Sequence, residues 1–394
     1  MTDDYNYPLA LTSQFRFCGN PFRLDFYSFC SFGCKYCFAR TINGQDDFKM
    51  SYAKFDIIDK LFKKAFDSQD DSKDINVELL RHKVPIHVGG LADPFQPAEW
   101  QLKLNYKLIE LSNKYKYPLI FSTKTGHLPD DYWAILDPEL HAFQISLIGL
   151  SDDYIRRYED NSATATQRLK FLRELRSKGF WCSIRIQPVI DMTEVLKLCK
   201  EIDGVASYVT IEHLKIDITS DEKKELFKDE ILSGEYKPTS KMKDLELNRQ
   251  AKIDNILKIK EVLKKTKVGI GDNDLHFLSQ SRCCCGVDTI NSNFDNYLKY
   301  NLTYFATEHL GKKIADDDTI WIPQNSVSSC VDPHIRIKNG KYKDYVHNYC
   351  SLYNEFMCDG CSMKVKTDGI IINRDNGRKL RQVSLFNMGD FDDQ

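Results

Sequence analysis

Six apolar, β-rich runs alternate with amphipathic segments, and this alternation constrains the fold more than any other feature of the chain. The runs are RLDFYSF from residue 23, VPIHVGG (84–90), PLIFST (118–123), AFQISLI (142–148), WCSIRIQPVI (181–190) and ASYVTIEHL (206–214). Strands that are buried on both faces and separated by helices are typical of a parallel sheet. We therefore predict an α/β fold, a full or partial TIM-like barrel of six β/α units, with its chemistry at the carboxyl ends of the strands.

Helical periodicity fills the gaps between these runs. Leu104, Leu108, Leu111 and Tyr115 recur at the spacing of one helix face. A second helix is predicted over residues 163–178, where Gly179 supplies a helix stop.

The chain divides into a large and a small part on composition. We assign residues 1–277 to the barrel domain, in which the lysine- and glutamate-rich segment 217–266 is predicted to form solvated helices that cover the barrel. From residue 278 cysteines return amid short strands and turns, and we predict a smaller cysteine-rich module over 278–381 and a tail over 382–394.

Overall charge and hydropathy exclude some classes of protein. A formal net charge of −2 over 394 residues gives no global basic field, so a nucleic-acid contact would need a local patch. The concentrated basic stretches lie near residues 336–343 and 364–381, where solvated surface is the alternative interpretation. The opening residues lack the apolar run of a signal peptide, and no later run has the length of a membrane span, so we expect a cytoplasmic protein.

The most specific chemical signal is the stretch FCSFGCKYCFAR, which carries Cys30, Cys34 and Cys37 directly after the first predicted strand. In a reducing compartment, spaced cysteines indicate metal binding or catalysis rather than disulfides. Three thiolates can hold three irons of a cubane iron–sulfur cluster and leave the fourth iron open, whereas a closed zinc site needs four ligands. A zinc site completed by a remote His or Cys stays the alternative.

This CxxxCxxC motif, at the head of a six-fold β/α chain, resembles the radical S-adenosylmethionine (SAM) superfamily. More narrowly, NPFRLDFYSFCSFGCKYCFAR (20–40) and ADPFQPAE (92–99) resemble signatures of the spore photoproduct lyase-like branch, also described as DNA repair photolyase-like. The resemblance covers about residues 15–276. It implies a 4Fe-4S cluster on the three cysteines, SAM at the open iron, reductive cleavage of SAM and release of a 5′-deoxyadenosyl radical that abstracts hydrogen from a substrate.

The same resemblance implies cofactor-binding positions at the ends of the early strands. Tyr36, before the third cysteine, matches the residue whose backbone contacts the adenine. Gly89 and Gly90 match the glycine-rich segment that receives the SAM amino group, with Asp93 in place of the family's glutamate.

Three further positions are carried over from later strands. Lys124 in STKTG matches a lysine that contacts SAM in the lyase-like branch, Ser146 lies where a ribose contact is expected, and Arg185 lies on the strand that supplies polar groups to the SAM carboxylate.

Two departures from the spore photoproduct lyases bear on activity. Those enzymes resemble one another in a cysteine hydrogen donor shortly before the aspartate of the second strand's end, where this chain has residues 89–92, GGLA. The position after the third cysteine, often tyrosine there, is Phe38. Without the cysteine thiol and the tyrosine phenol, the resemblance supports membership of the branch. It does not support repair of the thymine dimer by a radical relay that uses these two groups.

A second group of cysteines is predicted to bind zinc or an auxiliary iron–sulfur cluster, because four-thiolate sites are built from clustered pairs. The candidates are Cys284, Cys285, Cys350, Cys358 and Cys361, with Cys283 adjacent to the first pair. Consecutive cysteines point to opposite faces of an extended chain, so only some of the triplet can face one metal. Reduced structural thiols, or a catalytic thiol that serves as the missing hydrogen donor, are the alternatives.

The tail RQVSLFNMGDFDDQ places Gln382, Leu385 and Phe386 in a QxxLF pattern similar to the one by which bacterial repair and replication proteins dock on the sliding clamp. A final strand packed on the core is the alternative interpretation.

Taken together, the sequence predicts a radical SAM enzyme, of lyase or oxidoreductase type, that acts in repair or modification of nucleic acid, with flavodoxin or ferredoxin as the reductant. Two other interpretations stay open. One is a radical SAM enzyme that modifies a peptide or protein and uses an auxiliary cluster; the other is a non-catalytic, zinc-binding nucleic-acid adaptor.

Overall fold

The computed structural model describes residues 22–39, 51–68, 74–239, 243–272 and 283–300, with short pieces at 5–6, 8–11, 20, 275 and 278–281. The strands are β1 Leu9–Leu11, β2 Phe22–Leu24, β3 Ile86–Val88, β4 Leu119–Thr123, β5 His141–Ser146, β6 Cys182–Val189, β7 Tyr208–His213, β8 Lys215–Asp217, β9 Tyr236–Pro238, β10 Asp244–Leu247 and β11 Lys267–Ile270. The helices are α1 Phe55–Phe66, α2 Ile75–Arg81, α3 Glu99–Leu102, α4 Leu104–Tyr115, α5 Asp130–Trp133, α6 Asp152–Tyr158, α7 Ala165–Ser177, α8 Met192–Ile202, α9 Asp221–Leu226, α10 Lys228–Leu232 and α11 Arg249–Val262. Short 3₁₀ segments follow at Val287–Thr289 and Ser292–Tyr300.

An eight-stranded sheet forms the centre of the fold, in the order β1-β2-β3-β4-β5-β6-β7-β11. Within this sheet, β2 to β7 and β11 are all paired in parallel, and β1 pairs antiparallel with β2 at one edge. The predicted α/β class and the six predicted strands are confirmed, and β11 adds a seventh parallel strand. Because helices cover the parallel strands, β3 and β4 are buried along their whole length.

The helices form where the apolar spacing predicts them. Leu104, Leu108 and Leu111 on the predicted face of α4 are buried, and Tyr115 is half-buried. Helix α7 begins in a capping box between Thr164 and Gln167 and is followed by Gly179 at a φ of +87°. None of the described helices is long and apolar enough to cross a lipid bilayer.

The lysine- and glutamate-rich segment is not helical throughout. Besides α9, α10 and α11 it contains β9 and β10, which form a three-stranded antiparallel sheet with the preceding strand β8 in the order β8-β10-β9. These strands are three or four residues long and rich in charge, so no apolar alternation marks them in the sequence. Lys223 of α9 donates to the carbonyl of Cys37 at 3.3 Å, which brings this segment against the cysteine loop. The proposed domain boundaries at 277 and 381 remain predictions.

The open edge of β11 is capped by the chain that follows it. The backbone N–H of Val268 donates to Gln280 Oε1 at 2.8 Å, and that of Ile270 donates to Ser279 Oγ at 2.9 Å. Satisfied edge groups cannot pair with another strand, so this side of the sheet is closed.

Candidate active site

Cys30, Cys34 and Cys37 lie on the loop that follows β2, at the carboxyl end of the parallel sheet. Gly89 and Gly90 follow β3 and Lys124 follows β4, at the same end. The carboxyl ends of neighbouring parallel strands share one edge, which is where open α/β folds bind ligands. The cysteine loop therefore lies at the same edge of the sheet as Gly89, Gly90 and Lys124, which the resemblance assigns to cofactor binding. We call this carboxyl-end edge the mouth.

The cysteine loop is fixed by polar contacts on both sides of Cys30. The amide of Gln96 accepts from the N–H of Ser31 and donates to the carbonyl of Phe29, both at 2.9 Å. Asn161 donates through its backbone N–H to the carbonyl of Phe32 at 3.1 Å. Because these partners belong to other loops of the mouth, the positions of the thiols are set by the fold.

The three thiols are free cysteines. Burial raises the pKa of Cys30 to about 11, although the backbone N–H groups of Phe32 and Asp93 point at its sulfur. Burial also raises the pKa of Cys34 to about 12, against the lowering effect of the Lys124 charge. Since metals bind the thiolate, loading of this site would release protons.

The donor set fits a cubane cluster. Among the described residues, no three His, Cys, Asp or Glu side chains converge closely enough to hold one metal ion. In a cubane cluster each thiolate binds a different iron, so the ligands span a wider space. Three thiols on one anchored loop are the donors that would bind three irons of such a cluster and leave the fourth iron open.

The two glycines after β3 are required by packing within the protein. Gly89 has a φ of +95°, and a Cβ there would lie 2.6 Å from both Pro94 Cδ and the carbonyl oxygen of Ser122. A Cβ on Gly90 would lie 2.1 Å from Cδ of Arg23. Asp25 accepts from the next backbone N–H, that of Leu91, at 2.7 Å and fixes the turn.

Asp93 ties the end of β4 to this turn. Its Oδ1 accepts from the Thr123 hydroxyl at 2.8 Å and from the N–H of Phe95 at 2.9 Å, and its Oδ2 accepts from the N–H of Lys124 at 2.6 Å. Burial raises the pKa of Asp93, and these donors oppose the rise. The carboxylate is 8% exposed and largely occupied by the protein, so its main visible role is to position Lys124.

A buried charge network lies directly beside the thiols. Glu159 accepts from the hydroxyl of Tyr36 and from the guanidinium of Arg168, and its Oε2 accepts from the Ser162 hydroxyl at 2.7 Å. The Nζ of Lys124 lies 5.8 Å from the centroid of the Tyr36 ring.

The charges in this network stabilise one another. Burial raises the pKa of Glu159, but the positive charges of Arg168 and Lys124 outweigh it and hold the pKa at about 2. Burial lowers the pKa of Lys124, while Cys34 and Glu159 raise it, and the net shift is upward. At neutral pH both groups are therefore charged.

Arg185 and Ser146 are engaged by other protein groups. The Nε of Arg185 donates to Gln187 Oε1 at 2.9 Å, and its Nη1 donates to Ser122 Oγ at 3.0 Å and to Gln144 Oε1 at 3.1 Å. The carbonyl of Ser146 accepts from Arg168 Nη1 at 2.8 Å. The structure thus places Arg185 in a polar cluster with Ser122, Gln144 and Gln187, and its guanidinium group is directed toward Gln187.

The sequence did not identify Gln96, Glu159 or Arg168. A signal existed for Arg168, which falls within the apolar stripe of Leu169, Leu172 and Leu175, where a charge has to be paired. Glu159 lies in the charged run RRYED, and nothing in that run distinguishes a buried carboxylate from a solvated one.

Cys283, Cys284 and Cys285 lie away from this mouth. The carbonyl of Cys284 accepts from the Thr210 hydroxyl at 3.0 Å, and Trp181, which precedes β6, donates to Thr289 at 3.1 Å. Asn293 donates to the carbonyl of Glu139, which precedes β5, at 3.0 Å. The segment therefore runs along the amino ends of β5 to β7, and the alternative in which one of these thiols donates hydrogen at the mouth is not supported.

Several predicted features fall outside the described residues. These are the remaining candidates for the second metal site, the basic stretches and the clamp-docking residues, namely Cys350, Cys358, Cys361, 336–343, 364–381, Gln382, Leu385 and Phe386.

The fold and site define an open α/β barrel whose candidate active site is a thiol triplet at the carboxyl-end mouth. Residues 24–200 match the family model described as "Radical SAM superfamily", which confirms the resemblance to this superfamily over these residues. A search of curated proteins found no match.

Solved structures that the chain is similar to include spore photoproduct lyase complexed with dinucleoside spore photoproduct, with 14% identity, 65% of this chain and 78% of that chain covered, and a TM-score of 0.46. A cysteine-to-serine mutant of spore photoproduct lyase gives 14% identity, coverage of 66% and 78%, and a TM-score of 0.47. SuiB of Streptococcus suis bound to S-adenosylmethionine gives 12% identity, coverage of 50% and 41%, and a TM-score of 0.36.

Proposed function

We propose that this protein is a radical SAM enzyme that cleaves SAM reductively and uses the resulting radical to abstract hydrogen from a nucleic-acid substrate, in repair or modification. The observation that carries the proposal is the anchored thiol triplet at the carboxyl-end mouth of a parallel sheet, within residues that match the radical SAM model. Cys30, Cys34 and Cys37 would hold a 4Fe-4S cluster. When bound and reduced, the cluster would supply the electron that splits SAM into methionine and a 5′-deoxyadenosyl radical.

The protein's own residues hold and shield this site. Gln96 and Asn161 fix the thiol loop, and Asp93 fixes Lys124 at the edge of the mouth. Tyr36, which is half-buried and lies between Cys34 and Cys37 in sequence, would present the backbone that the family uses for adenine. Gly89 and Gly90 keep the turn after β3 close to β4, and Ser146 and Arg185 lie on the next two strands round the mouth. Such a site serves chiefly to orient a cofactor and exclude water.

Nucleic acid as the substrate class is supported by the likeness of residues 20–40 and 92–99 to the lyase-like branch. An enzyme that attacks a base has to present it unpaired or flipped at the mouth. The absence of a cysteine at residues 89–92 argues for chemistry other than thymine-dimer repair through a cysteine relay.

The test is anaerobic reconstitution with iron and sulfide, followed by assay of 5′-deoxyadenosine under dithionite. Single Cys→Ala variants at positions 30, 34 and 37 should each lose SAM cleavage and most of the iron. Cys199→Ala is the matched control, since Cys199 is a buried core thiol on α8 and its loss should leave iron content unchanged.

Substrate class is read from the same assay with added DNA, RNA or peptides. A rise in 5′-deoxyadenosine with DNA or RNA, and binding that weakens steeply with salt, supports the proposal. A rise with peptides alone would favour peptide or protein modification. Zinc without iron, and no SAM cleavage, would favour the adaptor and overturn the enzyme.

Two accessory proposals accompany this function. Cys284 and Cys285 would join Cys350, Cys358 and Cys361 in a zinc or auxiliary iron–sulfur site, which metal analysis of the Cys358→Ala variant tests. Gln382, Leu385 and Phe386 would dock on a sliding clamp, which the double variant Leu385→Ala and Phe386→Ala tests by loss of clamp binding. A flavodoxin or ferredoxin would deliver the electron.

A further inference from the structure

The charge network beside the thiol loop contains two cations, Arg168 and Lys124, around the carboxylate of Glu159. Glu159 is a fully buried carboxylate, and Arg168 and Lys124 are the two cations that act on it. Arg168 is itself fully buried and is held by the carbonyl of Ser146 at 2.8 Å. The guanidinium therefore pairs with Glu159 in a fixed position, and Lys124 adds a second positive charge that acts on Cys34, with the buried carboxylate of Asp93 on its backbone N–H.

Lys124 is held against the thiol loop from two sides. Its backbone N–H donates to Asp93 at 2.6 Å, and its Nζ lies 5.8 Å from the centre of the Tyr36 ring. Tyr36 sits between Cys34 and Cys37 in sequence, and Cys34 forms a backbone bridge with Glu159. The ammonium thus lies near the thiol loop, and its charge acts on Cys30 and Cys34.

A fixed positive charge shifts the reduction potential of any redox-active group that the thiols hold. Reduction of an iron–sulfur cluster adds one electron, so the reduced form is more negative than the oxidised form and gains more from a nearby cation. Net charge around a cluster is one of the factors that set its reduction potential.

We propose that the Lys124 ammonium, which lies 5.8 Å from the centre of the Tyr36 ring, raises the reduction potential of the cluster that Cys30, Cys34 and Cys37 would bind. Lys124 is in this role a positioning residue that acts through the environment of the thiols, and the role is independent of any contact with SAM. The inference rests on the proposed function, because it requires a cluster on this loop.

The experiment is a redox titration of the reconstituted protein without SAM, followed by electron paramagnetic resonance. Lys124→Met should shift the midpoint potential to more negative values, and Lys124→Arg should restore it. Glu159→Gln removes the anion and should shift the potential the opposite way. Lys103→Met is the control, since Lys103 is an exposed lysine paired with Asp131 at 2.6 Å. The midpoint potential of this variant should match that of the wild type.

The outcomes separate the inference from the proposed function. A cluster present in full amount in Lys124→Met with an unshifted potential overturns the inference, even if SAM affinity falls. A wild-type protein that assembles no iron–sulfur cluster overturns the proposed function instead. If Glu159→Gln fails to fold, Lys124→Met and Lys124→Arg still decide the question, since both leave the Glu159–Arg168 pair intact.

Discussion

Gln96 binds the backbone on both sides of Cys30, accepting from the N–H of Ser31 and donating to the carbonyl of Phe29, each at 2.9 Å. The side chain is fully buried and reaches the loop from the segment that follows β3. A thiol of the proposed cluster site is thereby held by a residue far away in sequence that is not itself a proposed ligand.

Replacement of Gln96 should therefore lower the amount of iron that each chain retains, in addition to any loss in the free energy of unfolding. Gln96→Leu removes the bonds to the Ser31 N–H and the Phe29 carbonyl, and a lost hydrogen bond of this kind costs about 1–3 kcal/mol where the group is buried. We expect less iron per chain after reconstitution and gel filtration. Asn113→Leu, which removes an amide bond to the carbonyl of Ile135 at 2.7 Å, is the control and should lose stability while retaining iron. Equal iron retention in both variants would contradict the prediction.

A second prediction compares two glycines that share a left-handed backbone and differ in their surroundings. Gly89 and Gly179 have φ values of +95° and +87°, but only Gly89 has atoms where a Cβ would lie, with the Ser122 oxygen at 2.6 Å. Gly179→Ala should cost about 1–2 kcal/mol from backbone strain alone. Gly89→Ala should cost more and also weaken SAM binding, because the turn has to move away from β4. Chemical denaturation and SAM titration provide the measurements, and equal losses of stability would refute the argument.

The fold was largely predictable because its strands are buried on both faces. Runs such as 118–123 and 142–148 are apolar throughout and match β4 and β5. The seventh parallel strand, Lys267–Ile270, was missed because it is four residues long, contains Gly269 and follows a lysine-rich helix.

The site was predictable only where the chemistry is local in sequence. The three cysteines lie within one short loop, so their spacing can be read directly. Glu159 and Tyr36 are separated by 123 positions, and only the packing of α6 beside the thiol loop brings them together. Contacts of this kind depend on the fold, and composition or spacing does not encode them.

A pH dependence follows from the buried His141. Burial lowers its pKa to about 4, and its Nδ1 accepts from the N–H of Asp137 at 2.9 Å. The unfolded state takes up a proton near pH 6.5, while the native state resists until about pH 4. The contribution of His141 is therefore complete above pH 6.5 and falls by up to about 3 kcal/mol as the pH drops to 4.

Urea unfolding at pH 7 and pH 4.5 checks this. His141→Asn keeps an acceptor for the Asp137 N–H and removes the titrating group, so its loss of stability between the two pH values should be smaller than that of the wild type. His127→Asn, at an exposed position, controls for the substitution itself. A wild-type protein and a His141→Asn variant with the same pH dependence would disprove the assignment.

The docking of the Cys283–Cys285 turn depends on the missing side chain of Gly269. A Cβ at this position would lie 2.0 Å from the carbonyl oxygen of Cys284 and 2.5 Å from the hydroxyl of Tyr208. Gly269→Ala should therefore displace the turn and break the bond from the Thr210 hydroxyl to that oxygen. Thr210→Val removes the same bond without added bulk, so its effect should be intermediate.

Peptide-resolved alkylation of the native protein measures this displacement, because Cys283 and Cys285 are buried only while the turn is docked. We expect their labelling rates to rise from wild type to Thr210→Val and again to Gly269→Ala. Cys182 and Cys199, buried in β6 and α8, serve as internal standards and should stay protected. If the core thiols react together with the turn, the substitution has loosened the whole domain, and the specific contact between β11 and the turn is not what protects Cys283 and Cys285.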